Sequence, residues 1–293
     1  YNIRKLSRTA DTAWTLTNFI AAIGGPLVIT GATQAATCVI TATGEDDDFP
    51  EKDDIVYISG VLGMTQLNDK FFTAALPELM PNQVDRDFSA ASAWANVDIN
   101  AYNETGDLTI TASVIGQYCT CPVLSAPTTI GKRYRVTFDA ANIVSSWTIR
   151  DFTGAQTIGT ITARGEQSFD FLAATAGGFR MVAVGATSSG DFDNYSLVEL
   201  GTFQLSGINS TAYGAYTSGG TAQKTQFGTT NNNPGAIAFF EQRFMAGGTT
   251  NDPLDVFGSV SADFENFTQD PADASAAIQY SLLSDKVDAI NWL

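Results

Sequence analysis

Apolar and polar residues alternate along most of this chain, in short runs. Arg133-Tyr-Arg-Val-Thr-Phe138 places Tyr134, Val136 and Phe138 on one face. Residues 108–111, 147–150, 169–172, 179–184 and 195–198 repeat the device, with glycine-containing turns between most of them. Alternation with period two makes strands with one buried and one wet face, and this spacing predicts a two-layer sandwich over residues 85–200. Upstream, Ala13–Phe19 reads as a strand, and Gly24-Gly25-Pro26 breaks any regular element. Residues 27–43 read as two short strands rich in Val, Ile and Thr, and 55–59 as another. A further strand begins at Phe71, and Pro77 and Pro81 end that unit. Downstream, residues 224–235 are polar and Asn-rich, a linker or long loop in pattern. Strand-like runs then follow at 236–246, 255–259, 263–268 and 278–283, with one more starting at Val287. Strand–turn–strand units of this length resemble propeller blades.

With 293 residues, 44% of them hydrophobic and 11% aromatic, the chain can build two or three cores. The formal net charge is −16, and such a protein is a poor general binder of nucleic acid. Basic residues are locally dense at Arg4, Lys5 and Arg8, a cluster too small for a nucleic-acid site. Asp46, Asp47 and Asp48 lie in an acidic loop whose spacing is not that of a calcium-binding EF loop. Cys119 and Cys121 are two apart and close a disulfide badly; with Cys38 they read as small buried hydrophobes. There is no histidine, which excludes Ser-His-Asp and Cys-His machinery and leaves the cysteines short of metal-ligand company. A glycosidase needs only two carboxylates, but no pair is singled out. The expectation is therefore a protein that is not an enzyme. No membrane-length apolar run or signal peptide is visible, and no membrane partner is expected. The start at Tyr1 and the stop at Leu293 read as the ends of a piece of a longer polypeptide.

Several phrases, kept in order, resemble a known assembly. Asp54-Ile-Val-Tyr-Ile-Ser-Gly, Gly63-Met-Thr-Gln-Leu-Asn, Phe71-Phe-Thr, Thr202-Phe-Gln-Leu and Tyr213-Gly-Ala-Tyr-Thr-Ser-Gly-Gly-Thr resemble the small β-barrel module named after the first catalytic-cysteine half-domain of ubiquitin-activating enzymes. Nothing in them implies ubiquitin chemistry. Arg4-Lys5-Leu6-Ser7-Arg8 with Trp14-Thr-Leu resembles the segment preceding this module in tail proteins of short-tailed phages. Gly247-Gly-Thr-Thr-Asn-Asp-Pro, Phe257-Gly-Ser, Asp263-Phe-Glu-Asn-Phe and the closing Leu282–Leu293 extend the likeness to tail nozzle (tail-stabilisation, or tail tubular B) proteins. Family members usually carry Arg near Ser261 and Asn291 and lack a long insert. The stretch between the barrel halves resembles a jelly-roll carbohydrate-binding module, through Phe88 with Trp94, Gly131-Lys-Arg-Tyr-Arg-Val-Thr-Phe and Asp191-Phe-Asp-Asn-Tyr-Ser-Leu.

The resemblance implies an all-β fold: a small β-barrel interrupted by a β-sandwich (jelly-roll) insert, flanked by pieces of a propeller-like β domain. The expected divisions are 1–25 for the N-terminal segment, 26–80 with 200–222 for the split barrel, 81–199 for the insert and 223–293 for the propeller-like segment. It implies a structural virion protein, assembled in the host cytoplasm into the phage tail as a hexameric ring below the portal, through which DNA passes. Portal or adaptor, tail fibre or needle proteins and further copies of itself would be its partners. An acidic lumen would keep DNA from adhering. The outward insert would touch a host surface glycan, a fibre or a neighbouring subunit; a free glycan-binding adhesin is the alternative. Trp94, Tyr118 and Trp147 are the candidates for stacking on sugar rings. Core packing is the competing role for each. Asp87 and Asp193 are candidates for a structural calcium site, competing with plain surface or turn carboxylates; no other cofactor is expected.

Overall fold

The structure, a computed structural model, describes residues 3–10, 12–80, 82–90, 94–97, 101–104, 106–112, 114–121, 124, 127–229, 232–282 and 290. It is all-β, with a closed barrel and several further sheets. The chain divides into two compact units, Pro77–Leu200 and the remainder, Tyr1–Leu76 with Gly201–Leu293.

In the discontinuous unit, β1 (Arg4–Ala10) and β2 (Ala13–Asn18) form a two-stranded ribbon. The barrel takes β3 (Leu27–Ala32), β4 (Cys38–Thr43), β5 (Ile55–Ser59) and β6 (Lys70–Ala75) from the first half of the chain. The inserted unit supplies β7 (Ala95–Val97), β8 (Ala101–Glu104), β9 (Leu108–Thr111), β10 (Tyr118–Thr120), β11 (Arg133–Val144), β12 (Trp147–Asp151), β13 (Thr157–Ile161), β14 (Gly165–Leu172), β15 (Phe179–Ala183) and β16 (Ser189–Glu199). The chain then returns to the barrel with β17 (Thr202–Leu205) and β18 (Thr221–Thr225). A four-stranded meander ends the fold: β19 (Ala236–Phe240), β20 (Arg243–Gly247), β21 (Asp255–Gly258) and β22 (Ile278–Ser281).

The barrel closes in the order β17-β4-β3-β18-β5-β6. Closure is made by a short ladder, Gln204 opposite Ala75 and Leu205 opposite Ala74. The chain thus leaves and re-enters the barrel on neighbouring strands. Alternate residues of every barrel strand point inward, and Leu27, Ile29, Ile40, Val56, Ile58, Phe203 and Leu205 fill the interior. Gly63 marks a close approach: φ is +84°, and a Cβ there would lie 2.0 Å from the Ala215 carbonyl oxygen.

A separate core joins the two flanks of the barrel. Ile3, Phe19 and Ala21 from the N-terminal segment pack with Phe227, Phe244, Phe257 and Phe267. The barrel's last strand runs to Thr225, past the expected boundary at Ala222, because Gln223 to Thr225 continue the ladder with β5. Residues 263–268, expected as a strand, form turns instead: Ala262 has φ +65°, and the Asn266 side chain accepts from the Thr268 N–H. Most of the strand expected from Val287 onward lies outside the described residues.

The inserted unit is a sandwich of two five-stranded antiparallel sheets, β13-β12-β15-β10-β7 and β14-β11-β16-β9-β8. Tyr134, Val136 and Phe138 of β11 and Phe192 and Leu197 of β16 face Trp147, Ile149, Phe179 and Met181 of the other sheet. Cys119 and Cys121 are buried and free, and burial pushes both thiols up, Cys121 to about 12. They are packing residues at neutral pH. The sandwich core and the barrel core share no residue.

Phe203→Ala would empty the centre of the barrel. We expect a cost of about 3–5 kcal/mol, read as a lower denaturation midpoint by urea titration, with near-unchanged burial of Trp147 by fluorescence at denaturant concentrations where only the barrel has opened.

Candidate functional site

Strand phase decides what each face of the sandwich can offer. On β12, Trp147 and Ile149 point into the core, so Thr148 and Arg150 point out. On β15, Phe179, Met181 and Ala183 point in, so Arg180 and Val182 point out. On β10, Cys119 points in, so Tyr118 and Thr120 point out. Cross-strand register then assembles an outer face. One row runs Thr160, Thr148, Val182, Tyr118, and the next contains Arg150 directly opposite Arg180, with Thr120 beyond.

Two arginines directly opposite each other on one face repel. The Arg180 guanidinium lies over the Tyr118 ring, 4.3 Å from its centroid, which fixes its position. An Arg150 terminal nitrogen donates to the Gly154 carbonyl oxygen at 3.1 Å. The Nε atoms of both arginines are shielded from solvent and meet no hydrogen-bond partner among the described residues. A shielded donor left without an acceptor costs about 1–3 kcal/mol, and more when it is charged.

The turn beneath Arg150 is itself well fixed. Burial pushes the Asp151 carboxyl up, but the Gln156 N–H, the Thr175 and Thr153 hydroxyls and the Gly154 N–H outweigh it and hold the group below the usual carboxylate range. The bonds measure 3.0 Å from the Gln156 N–H and 2.9 Å from each hydroxyl. Asp151 is therefore committed to its own turn. Gly154 has φ +79°, a conformation that favours glycine, and packs closely against the Arg180 guanidinium.

The opposite sheet treats its charges differently. Arg135 makes a two-pronged bond to Asp170, at 2.7 and 3.0 Å, and Lys132 pairs with Glu199 at 2.6 Å. Asp139 stands directly opposite Asp193, a like-charge pair as on the first sheet. Here Asn194 relieves it: its N–H donates to Asp193 at 2.7 Å and its side-chain amide to Asp139 at 2.8 Å.

Of the residues singled out for sugar stacking, Trp94 and Trp147 are corrected by this geometry. Both lie in the sandwich core, and Trp147 is wholly buried, so neither offers a ring face to a ligand. Trp94 donates its indole N–H to the Asp85 carbonyl oxygen at 2.8 Å. Tyr118 alone of the three lies on the outer face, with one side of its ring occupied by Arg180. Asp87 ends the short helix α1 (Val84–Asp87), where the Ser89 hydroxyl and N–H hold its carboxyl below the usual range. Asp193 is pushed up by burial, and Asp139, Asp87 and Asp107 add to that push against the opposing Asn194 N–H. Asp87 and Asp193 thus come within electrostatic reach. Among the described residues, however, no three His, Cys, Asp or Glu side chains converge on a point where a metal could sit. Sequence reading missed Arg150 and Arg180. The signal for their direction was present, since each follows or precedes an apolar residue that points inward.

The discontinuous unit carries a different kind of surface. Leu6 and Leu16 are cross-strand partners on the ribbon, and Arg8 stands opposite Trp14 with its guanidinium 5.9 Å from the indole centre. Leu6, Trp14 and Leu16 are 63%, 58% and 59% exposed. Ile3, Leu6, Phe19, Phe239 and Phe264 line a groove of about 370 Å³ at the root of this ribbon. Ile237, Phe239 and Phe240 on β19 are also exposed, and among the described residues no strand covers that strand's outer edge.

No protein-family model matches the chain, and no curated protein matches it. Six solved chains are similar to it. One is the apo form of BiXyn10A CBM1, at 16% identity over 39% of this chain and 94% of its own length, with a TM-score of 0.29.

Asp193 gives a pH test of the acidic face. Its carboxyl is raised in the folded state, so its favourable contribution is present below the unfolded value near 3.8 and is lost as pH rises through the folded value. Asp193→Asn keeps the acceptor for the Asn194 N–H and removes the charge. It should raise the thermal midpoint at pH 7, and the gain should vanish below about pH 4, as followed by circular dichroism melts across that range.

Proposed function

We propose that this chain is a structural subunit of a phage tail, a nozzle-type ring component below the portal through which DNA leaves, and that it performs no turnover. The inserted sandwich is its binding module, directed at a host glycan, a tail fibre or a neighbouring subunit. The observation that carries this reading is the β1–β2 ribbon. An isolated two-stranded ribbon is marginal in water, and this one turns Leu6, Leu16 and Trp14 outward on a single face. A ribbon of that composition is stabilised when another chain covers it. The exposed apolar edge strand β19 adds a second surface of the same kind. The ordered phrases shared with tail nozzle proteins supply the identity of the assembly, and the acidic balance of −16 suits a conduit that DNA must leave.

A glycan-binding adhesin is the second reading. It is favoured by the outer face of the first sandwich sheet, where Tyr118, threonine hydroxyls and two arginines lie together.

Negative-stain electron microscopy and sedimentation of the purified chain test the first reading. Rings of one order, formed alone or on adding portal protein, are expected. A monomer at every concentration under both conditions overturns it. Leu6→Ser combined with Leu16→Ser should weaken assembly by about tenfold or more, with the unfolding midpoint of the monomer changed little, because both side chains are already exposed.

A further inference from the structure

We propose that the outer face of the β13-β12-β15-β10-β7 sheet holds a subsite for an oxyanion carried by a polysaccharide, gripped by Arg150 and Arg180. This rests on the reading of the sandwich as the chain's glycan-contacting module and gives that module its ligand chemistry.

Four observations converge. The two guanidinium groups are direct cross-strand partners, so each raises the local potential at the other. Neither has an ion-pair partner among the described residues, in a chain with 31 acidic and 15 basic side chains, where Arg135 and Lys132 on the other sheet both do. Both Nε atoms meet no acceptor among the described residues, so the chain's own groups do not saturate either guanidinium. The positions are also fixed in advance, Arg180 by the Tyr118 ring and Arg150 by the Gly154 carbonyl on the Asp151 turn. The Asp139–Asp193 pair is the internal control. It is equally like-charged, but Asn194 satisfies it from within the chain. Among the described residues, no side chain gives the arginine pair a hydrogen-bond acceptor.

The guanidinium fork matches a planar or tetrahedral oxyanion through two parallel N–H bonds. Thr160 and Thr120 on the same face bring hydroxyls of the kind that pair with sugar hydroxyls, while Thr148 is buried with its hydroxyl turned to the Val182 carbonyl. Two cations flanked by neutral hydroxyls suit a polymer with one oxyanion per sugar or fewer. A nucleic acid carries a phosphate at every step and calls for a longer cationic track. Tyr118 acts as a positioning residue, since its ring face is taken up by Arg180.

The test is isothermal titration of the full chain with alginate and polygalacturonate (carboxylated), dextran sulfate (sulfated), neutral dextran and single-stranded DNA. Binding to a carboxylated or a sulfated polymer is expected, and the arm that binds names the oxyanion. Arg150→Gln and Arg180→Gln should each weaken it by about tenfold, and the pair by about a hundredfold. Thermal melts of the variants show whether the fold is kept, and Arg180→Lys, which keeps charge and loses the fork, should fall between. Tyr118→Leu should cost several-fold, roughly the worth of a partly shielded cation–π contact, while Tyr118→Phe restores binding. The polymers are anionic and so is the protein, so general attraction cannot mimic the result, and added NaCl should weaken it. The subsite is overturned if no acidic polysaccharide binds, if binding survives the double variant in a folded protein, or if only DNA binds. Binding of neutral dextran alone also overturns it but leaves the glycan-contacting reading standing; ring formation is decided separately by microscopy.

Discussion

Everything in the discontinuous unit depends on the ladder that closes the barrel, Gln204 against Ala75 and Leu205 against Ala74. An open sheet would leave β6 and β17 as unpaired edges and the barrel interior wet. Those two strands are separated in sequence by a complete sandwich with its own core. The pairing is therefore non-local, and its loop-closure cost grows only slowly with the length of what is inserted. What the closure requires is that the inserted unit's two ends be close together. It requires nothing of that unit's interior or outer faces.

The flanks obey a second closure of the same sort. Ile3, Phe19 and Ala21 come from before the barrel, and Phe227, Phe244, Phe257 and Phe267 from after it, yet they form one core. The Ala22 carbonyl accepts from the Phe267 N–H, and the Ala22 N–H donates to the Glu265 carbonyl. Lys5 pairs with Glu265 at the ribbon's root. The ribbon is thus held at its base, where Arg4 also bonds to Asn18. Its apolar face, from Leu6 to Trp14, lies beyond those anchors. A ribbon held only at one end keeps its hydrophobic face available at small cost to its own unit.

Much of this was legible in the sequence, because period two is a strong signal where one face is buried. Tyr134, Val136 and Phe138 lie inward as their alternation requires. Gly24-Gly25-Pro26 separates ribbon from barrel, with the Gly25 N–H bonded to the Asp48 carboxylate at 2.6 Å. The tryptophans show how a legible signal can be overlooked. Trp147 shares its face with Ile149, and two large apolar residues two apart mark the inward side; Arg150 then falls outward. Residues 263–268 show the converse, since Phe-Glu-Asn-Phe has strand-like spacing but local side-chain bonds at Asn266 and a left-handed Ala262 turn the chain. The arginine pair was not legible at all. Arg150 and Arg180 are distant in sequence, and only the register of β12 on β15 makes them neighbours. Alternation fixes a face, but register between strands is set by the whole sheet.

Register is also what gives the two faces of the sandwich opposite characters. A like-charge pair across a ladder has to be relieved by counter-charge, by hydrogen bonds or by protonation. At Asp139 and Asp193 the chain uses a local amide, Asn194, held in a left-handed conformation with φ +54° so that both its donors reach the carboxylates. Proton uptake remains as a further outlet there, because a carboxyl group can become neutral. Arginine has no such outlet in the accessible pH range. A pair of arginines can be relieved only by a partner, and Asp151, next to Arg150 in the chain, is already engaged by Thr153, Thr175 and Gln156. The Tyr118 ring holds the Arg180 guanidinium in place, while its Nε meets no acceptor among the described residues.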